Sequence, residues 1–300
     1  MKIKSFIFFI SFLPVFAYGQ LISNPNPPVV AAQGVGGAFT AAATGAEAVY
    51  FNPAGLAFGN GIEARFAYQQ PWSMSFLSHL SAIGYTPLSK RAGGVALSVQ
   101  SLITRDDGST LANESEVALS HGILLQEDIH SSLAFGYSLK LISYSLGESV
   151  TGEDLGSSST FGMDVGATAQ LWDRFRLGGA FKNINHPQLG SDSKRDLPRI
   201  FSGGVAYTPY YGVRVTFDLE RELDSESQFK GGVNAMIAKP LDLRFGVITN
   251  PNSFSAGFGF HWRELVVDYA FIYHPVLQPS HLVGIGFNLS QSLSDLWREK

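Results

Sequence analysis

The sequence predicts an all-β fold: a transmembrane, antiparallel up-and-down β-barrel of about fourteen strands, with a small N-terminal hatch in its lumen. Three observations predict it. Long stretches alternate with period two, their connections fall into a short and a long class, and the chain starts with an export-type segment.

The N-terminus comes first. Lys2 and Lys4 are followed by an apolar run over residues 6–16, and Ala17-Tyr18-Gly19 supplies the small-x-small pattern of a signal-peptidase site. Residues 1–19 are therefore expected to be a cleaved signal peptide, with Gln20 as the mature terminus. An inner-membrane anchor helix is the alternative, but the run is only about half the ~20 residues a span needs, and Pro14 interrupts it. No later stretch approaches the ~18 apolar residues of a transmembrane helix.

Composition narrows the class. The chain has no cysteine, which excludes a lipoprotein anchor, a disulfide framework, a thiolate metal site and a thiol nucleophile. A net charge of -4 is too small to imply nucleic acid or an anionic membrane surface as partner. Glycine numbers 32 of 300, above the usual ~7%, and charged residues are 15% against ~25%. Aromatics reach 13%. A secreted β-sandwich would share the glycine but carry more charge, so an outer face in contact with lipid fits better.

Residues 20–60 precede the first strand. The lead Asn24-Pro25-Asn26-Pro27-Pro28 should be extended, and a run of small residues over 31–57 follows with Glu47 as its one acid and no Lys or Arg. Such a segment either hangs free or folds into the lumen; its small residues favour a plug packed against a glycine-lined wall.

Residues 61–290 carry the alternation. Leu265, Val267, Tyr269, Phe271 and Tyr273 share one face, against Val266, Asp268, Ala270 and Ile272 on the other. Val213, Val215, Phe217 and Leu219 alternate with Arg214, Thr216, Asp218 and Glu220, and Phe254, Phe258, Phe260 and Trp262 with Ser255, Gly257, Gly259 and His261. Period two means strands with one apolar face. The expected spans are 61–70, 79–86, 91–103, 114–125, 129–145, 160–172, 175–183, 198–209, 211–221, 228–239, 241–249, 253–262, 264–273 and 281–290. Turns after even-numbered strands are short, as at 87–90, 126–128 and 262–264, while 104–113, 146–159, 183–197 and 274–280 read as longer polar loops. The tight 250–252 turn is the exception on the long side. Outer-membrane barrels pair short periplasmic turns with longer extracellular loops. Tyr85, Trp172, Phe175, Tyr207, Tyr210, Tyr211 and Trp262 gather near the short turns, as an interfacial girdle would. Residues 291–300 are expected to form a periplasmic tail.

Gly34-Val35-Gly36-Gly37-Ala38-Phe39, then Glu47-Ala48-Val49-Tyr50-Phe51-Asn52-Pro53-Ala54-Gly55-Leu56-Ala57, resembles the N-terminal hatch of FadL-like outer-membrane proteins, most closely their PorV/PorQ-type branch. Asn183-Ile184, Leu197-Pro198-Arg199, Gly204-Val205-Ala206-Tyr207, Asp268-Tyr269-Ala270-Phe271 and His281-Leu282-Val283-Gly284-Ile285-Gly286-Phe287 extend the resemblance over nearly all of the mature chain. It implies a fourteen-stranded barrel plugged by a hatch in the Gram-negative outer membrane. In the PorV/PorQ branch it implies service to type IX-like protein secretion, with exported proteins or machinery components as partners, and this is the leading expectation. In the FadL branch it implies uptake of hydrophobic small molecules such as long-chain fatty acids. The compact loops and the tail depart from the family pattern.

Chemistry beyond that is sparse. Gly34, Gly36 and Gly37 invite a dinucleotide reading, but the sixth position is Phe39 and no strand precedes, so the phosphate site has no basis. Asn52-Pro53 is expected to set a turn, and Gly55 the next reversal. His79, His121, His130, His186, His261, His274 and His281 show no metal spacing, so no metal or cofactor is expected. No nucleophile-base set is visible, so no catalytic residue is assigned and the chain is not read as an enzyme. His261 and Asp268, near-diagonal neighbours roughly 7–8 Å apart, are expected to form a lumenal ion pair. Lys140, Arg176, Lys182, Arg214, Asp218, Glu220, Asp242 and Arg244 also point inward, with both signs present, as a network that clamps the hatch.

Overall fold

The computed structural model describes residues 27–148, 152–190, 194–223 and 225–289. The expected signal peptide and tail lie outside the described residues. Strands run in chain order as β1 (Ile62–Gln70), β2 (Leu77–Ser89), β3 (Gly93–Asp106), β4 (Ser109–Glu127), β5 (Ser131–Leu146), β6 (Ser157–Leu171) and β7 (Phe175–Lys182). A two-stranded ribbon follows, β8 (Gln188–Leu189) with β9 (Arg195–Asp196). Then come β10 (Ile200–Tyr210), β11 (Val213–Glu222), β12 (Ser227–Ala238), β13 (Leu241–Ile248), β14 (Ser253–Trp262), β15 (Leu265–Tyr273) and β16 (Ser280–Leu289).

All but the ribbon form one closed antiparallel barrel of fourteen strands, with β1 pairing β16 from Ile62↔Leu289 to Gln70↔His281. Closure leaves no edge with unpaired backbone groups. Alternation sorts the side chains as read from the sequence, but the burial is inverted relative to a soluble sheet. Leu97, Leu119, Leu141, Phe161, Phe217, Phe245 and Ile285 point outward and are exposed, whereas Ser98, Ser120, Ser138, Lys140, Asp164, Asp218 and Asp268 point inward and are buried.

Three expectations change. The 104–113 loop is mostly strand, because Asp107 and Gly108 (φ +44° and +81°) form a two-residue reversal. Asp-Gly suits a hairpin turn that needs two positive φ values, so both strands continue to it. The 183–197 connection contains the short ribbon. Tyr85 leaves the proposed girdle: it points inward, is 3% exposed, and donates from its hydroxyl to the Leu56 carbonyl at 2.9 Å. Trp172, Tyr210, Tyr211 and Trp262 are exposed near the short turns.

Residues 27–60 lie inside the barrel. A single helical turn, Val30–Gly34, packs on β13, β14 and β15, while the 3-10 turn Pro53–Phe58 packs on β3, β4, β5 and β6. Between them the 3-10 turn Gly45–Tyr50 faces β1 and β2. The helical turn ends because Gly36 and Gly37 both take φ +71°, a conformation costly for other residues. Gly37 N–H donates to Ala32 O at 2.8 Å and Gly36 N–H to Gln33 O at 3.1 Å, the paired bonds of a Schellman stop. The glycine cluster therefore terminates a helix.

The wall beneath this segment has been stripped of side chains. Gly94, Gly122, Gly136 and Gly166 sit directly opposite one another across β3 to β6. A Cβ on Gly136 would lie 2.3 Å from Ala54 N, one on Gly122 2.6 Å from Pro53 O, and one on Gly166 2.1 Å from Asn52 Oδ1. Across the lumen, Gly232 and Gly246 pair, and their Cβ positions would meet Val35 O at 2.4 Å and Gly36 N at 2.1 Å. Gly136→Val should leave the barrel folded but lift residues 53–58 off the wall, with an overpacking cost of about 1–3 kcal/mol. Limited proteolysis within residues 45–60, alongside heat-modifiable gel migration, checks it; unchanged protease resistance would sink the idea.

Candidate functional site

The candidate site is the lumen where the N-terminal segment meets the wall, and its anchors come from both. Asn52 starts the 3-10 turn Pro53–Phe58 with its Oδ1 accepting from Ala54 N–H at 3.2 Å, the local capping that an Asn-Pro pair favours. Its Nδ2 also donates to Thr40 O at 3.0 Å and to the wall at Ala167 O (3.1 Å) and Thr168 Oγ1 (3.0 Å). Asn52 is 0% exposed, so these bonds replace water completely. Gly55 makes no reversal, since the turn runs through it; a Cβ there would lie 2.3 Å from Ala43 O, so close approach explains the glycine. Ala38 is fully buried, and Phe39 meets Phe51 edge-on at 5.4 Å.

Asp218 on β11 holds the middle of the segment. Its Oδ2 accepts from Phe39 N–H at 2.8 Å and Thr40 N–H at 2.7 Å. The wall makes room for it at Gly204, whose Cβ would fall 2.1 Å from Asp218 Oδ1. Ser255 adds a bond to Gly34 O at 3.1 Å, and Glu63 accepts from Ala46 N–H at 3.2 Å.

The other inward charges form separate short clusters. Lys230 meets Glu220 at 2.7 Å, and Ser202 bonds the second carboxylate oxygen at 3.2 Å. Lys140 meets Asp164 at 2.8 Å and Glu116 at 3.9 Å. Arg244 meets Asp268 at 2.6 Å and Asp242 at 3.8 Å. His261 bonds Asp242 at 2.8 Å, which corrects the expected His261–Asp268 pair. The sequence placed both on one hairpin, but the Arg244 guanidinium takes Asp268, and Asp242 on the neighbouring β13 reaches His261. Thus Arg244, His261 and Asp268 share a cluster through Asp242. Arg176 stands apart, bonding Gln170 at 2.8 Å under the Phe58 ring, and Arg214 makes one long contact to Ala42 O at 3.5 Å.

On the long-loop side of the segment lies a cavity of about 80 Å³. Val49, Leu102, Ile142 and Ile200 supply apolar lining, and His79, Lys140, Asp164 and Lys182 supply polar lining. Two fully buried polar atoms near it, His79 Nδ1 and Asn183 Oδ1, have no partner among the described residues. Asn183 sits at φ +56°, ending β7 with its N–H turned to Asp164 Oδ1 at 2.8 Å. Lys182 is in no ion pair among the described residues; its ammonium lies 5.9 Å from the Phe51 ring centre. Lys182 is one of the inward charges expected from the sequence. His79, weighed there only as a metal ligand, and Asn183, noted only in the family motif, had no expected place in the lumen, because an isolated polar residue in a strand or at its end carries no periodic signal.

On the short-turn side, Glu47 projects from the 3-10 turn Gly45–Tyr50 toward Arg65, Arg214 and Arg244 without an ion pair. Burial pushes its carboxyl above the ordinary range, and nearby Arg65 opposes that shift. Among the described residues no cluster of three or more His, Cys, Asp or Glu is arranged to hold a metal.

No family model matches the chain, and no curated protein matches it. Solved structures do. A mutant of the monoaromatic hydrocarbon channel TodX lacking S2 and S3 superposes with a TM-score of 0.64 at 12% identity, over 87% of this chain and 98% of that one. The monoaromatic hydrocarbon channel CymD gives 0.62 at 15%, over 89% and 100%. A Pseudomonas aeruginosa FadL homologue gives 0.58 at 11%, over 86% and 98%. The fold is thus that of FadL/TodX-type channels, over 86–89% of this chain and 98–100% of theirs. The finer PorV/PorQ-type resemblance rests on sequence motifs alone.

The ion pairs allow a sharp stability test. Lys230→Gln should destabilise the barrel by about 3–5 kcal/mol, since it leaves the Glu220 carboxylate buried and unpaired. Adding Glu220→Gln should recover much of that loss. Urea unfolding in lipid vesicles measures both; a double variant as unstable as the single one would refute the pairing.

Proposed function

We propose that this chain is a non-catalytic outer-membrane channel whose lumen is closed by its N-terminal segment, and that its solute is a small, largely apolar molecule. The exterior supports the membrane placement: a closed ladder with an apolar outward face suits hydrocarbon, where an open edge or a polar face would be costly. On this reading residues 1–19 are an export signal, 20–60 the hatch, 61–290 the spanning barrel and 291–300 a periplasmic tail.

The observation that carries the solute assignment is the cavity between Val49, Leu102, Ile142 and Ile200, on the long-loop side of the hatch. A channel closed from below needs a resting place for its solute above the closure. This one sets the apolar Val49, Leu102, Ile142 and Ile200 against an equally large polar side of His79, Gln100, Glu116, Lys140, Asp164 and Lys182, which suits a small molecule with an apolar body and a polar end. Lys182 and the unpartnered His79 and Asn183 atoms would meet a polar end of such a molecule. The names of the similar solved structures, hydrocarbon channels and a toluene transporter, agree with a hydrophobic solute. The secretion role implied by the PorV/PorQ-type resemblance draws no support from those structures, and no observation among the described residues favours it.

Native mass spectrometry on protein extracted gently from its own outer membrane separates the two. A retained small apolar molecule is expected, with occupancy falling at least about tenfold, or 1.4 kcal/mol, in Ile142→Lys. Retention of a periplasmic or exported protein, with no small molecule, would reverse the reading in favour of secretion.

A further inference from the structure

A second cavity, of about 180 Å³, lies on the opposite, short-turn side of the N-terminal segment. Glu47 reaches it from the segment, and Arg65, Arg214, Asn234, Arg244 and His261 from the wall. Most of the charges around it are already matched. Arg65 holds Glu63 at 3.1 Å, Arg244 holds Asp268 at 2.6 Å, and Asp242 holds His261 at 2.8 Å.

Two charges are not matched. Glu47 makes no ion pair and no side-chain hydrogen bond among the described residues. Arg214 has no carboxylate partner, and its one contact, to Ala42 O, is at the 3.5 Å limit. Opposite charges sharing a partly desolvated space gain strongly by meeting. These are kept apart by their own elements. The Glu47 turn is pinned through Ala46 N–H to Glu63, and the Arg214 backbone is held opposite Asn234 on β12, with its neighbours Val213 and Val215 paired to β10. The cavity therefore has one negative and one positive pole, with the buried Asn234 Oδ1 beside them as an acceptor without a partner.

From this arrangement we infer that the cavity binds a small zwitterion, of the class of a free α-amino acid. Its carboxylate meets the Arg214 guanidinium, which can bond both oxygens, and its ammonium meets Glu47 and the Asn234 carbonyl. A simple anion would satisfy Arg214 and be repelled by Glu47, and a simple cation would do the reverse. The space is roughly that of six waters, the size of a small amino acid. The His261 side chain, 37% exposed, leaves the rim open. The site does not depend on the apolar cavity, which lies across the segment.

The test is calorimetric titration of the solubilised full-length protein with L-alanine at mildly alkaline pH, with acetate and methylammonium as singly charged controls. Saturable alanine binding is expected, at least about tenfold tighter than either control. Glu47→Gln and Arg214→Gln should each lose at least that factor, and Arg214→Lys should keep part of it. Heat-modifiable migration reports whether each variant folds, and Asn234→Leu gives a third probe of the same cavity. The inference is overturned if alanine gives no saturable heat, meaning a cavity that holds water only. It is equally overturned if acetate binds as well, or if the folded variants retain wild-type affinity.

Discussion

Everything in the lumen depends on direct contact between the backbone of the N-terminal segment and a wall without side chains. Gly122, Gly136 and Gly166 form one track across neighbouring strands, and Gly232 with Gly246 forms another across the barrel. Each place where a Cβ is missing is filled by a main-chain atom or anchor of the segment, at distances that no side chain would permit. Two backbones this close must also satisfy each other's polar groups. Asp218 supplies bonds at residues 39 and 40 and Asn52 supplies them further along, and both are almost completely buried.

The charges follow from the same constraint. A lumen filled by a segment with one acid cannot neutralise wall charges from the segment side, so the wall pairs with itself. Lys230 with Glu220, Lys140 with Asp164, and Arg244 with Asp268 each link neighbouring or next-neighbouring strands. Such pairs contribute little net stability once desolvation is counted, but they leave no lone charge behind the segment. The exceptions, Lys182 above and Arg176, Glu47 and Arg214 below, fall where cavities remain. Uncommitted charge and unfilled space coincide on both sides of the segment.

Much of this was legible in the chain. Period-two alternation placed all fourteen barrel strands, and their even number put both chain ends on the short-turn side. The inward set Arg176, Arg214, Asp218, Arg244, His261 and Asp268 follows from parity alone. What parity cannot give is the partner. His261 was matched with Asp268 on its own hairpin, but the choice belongs to Arg244, which lies one strand away and competes for the same carboxylate. Tyr85 was misread for a related reason: an aromatic near a strand end suits the girdle equally well from sequence, and only the segment's Leu56 carbonyl reveals the inward role. Asp107-Gly108 was a readable turn signal masked by its polar surroundings.

The middle and the later part of the segment are held in different ways, and that difference sets how a channel of this build would open. Pairing is continuous around the barrel through the middle of the wall, with register shifts confined to strand ends, so a solute has no gap between strands to use. Passage then requires the segment to move. Near Asp218, two backbone N–H groups bond a buried carboxylate, and charged hydrogen bonds contribute about 1.5–3 kcal/mol each. Near Asn52 the bonds are neutral, about 0.5–1.5 kcal/mol each, and the glycine track adds close contact but no charge. On this reading residues 53–58 would be the cheaper part to release, with Asp218 the anchor at residues 39–40 about which they would turn. The cavity on the long-loop side borders Val49 and Tyr50, just before that more weakly held part. Under the proposed function, a solute lodged there would press on the part of the segment that costs least to displace.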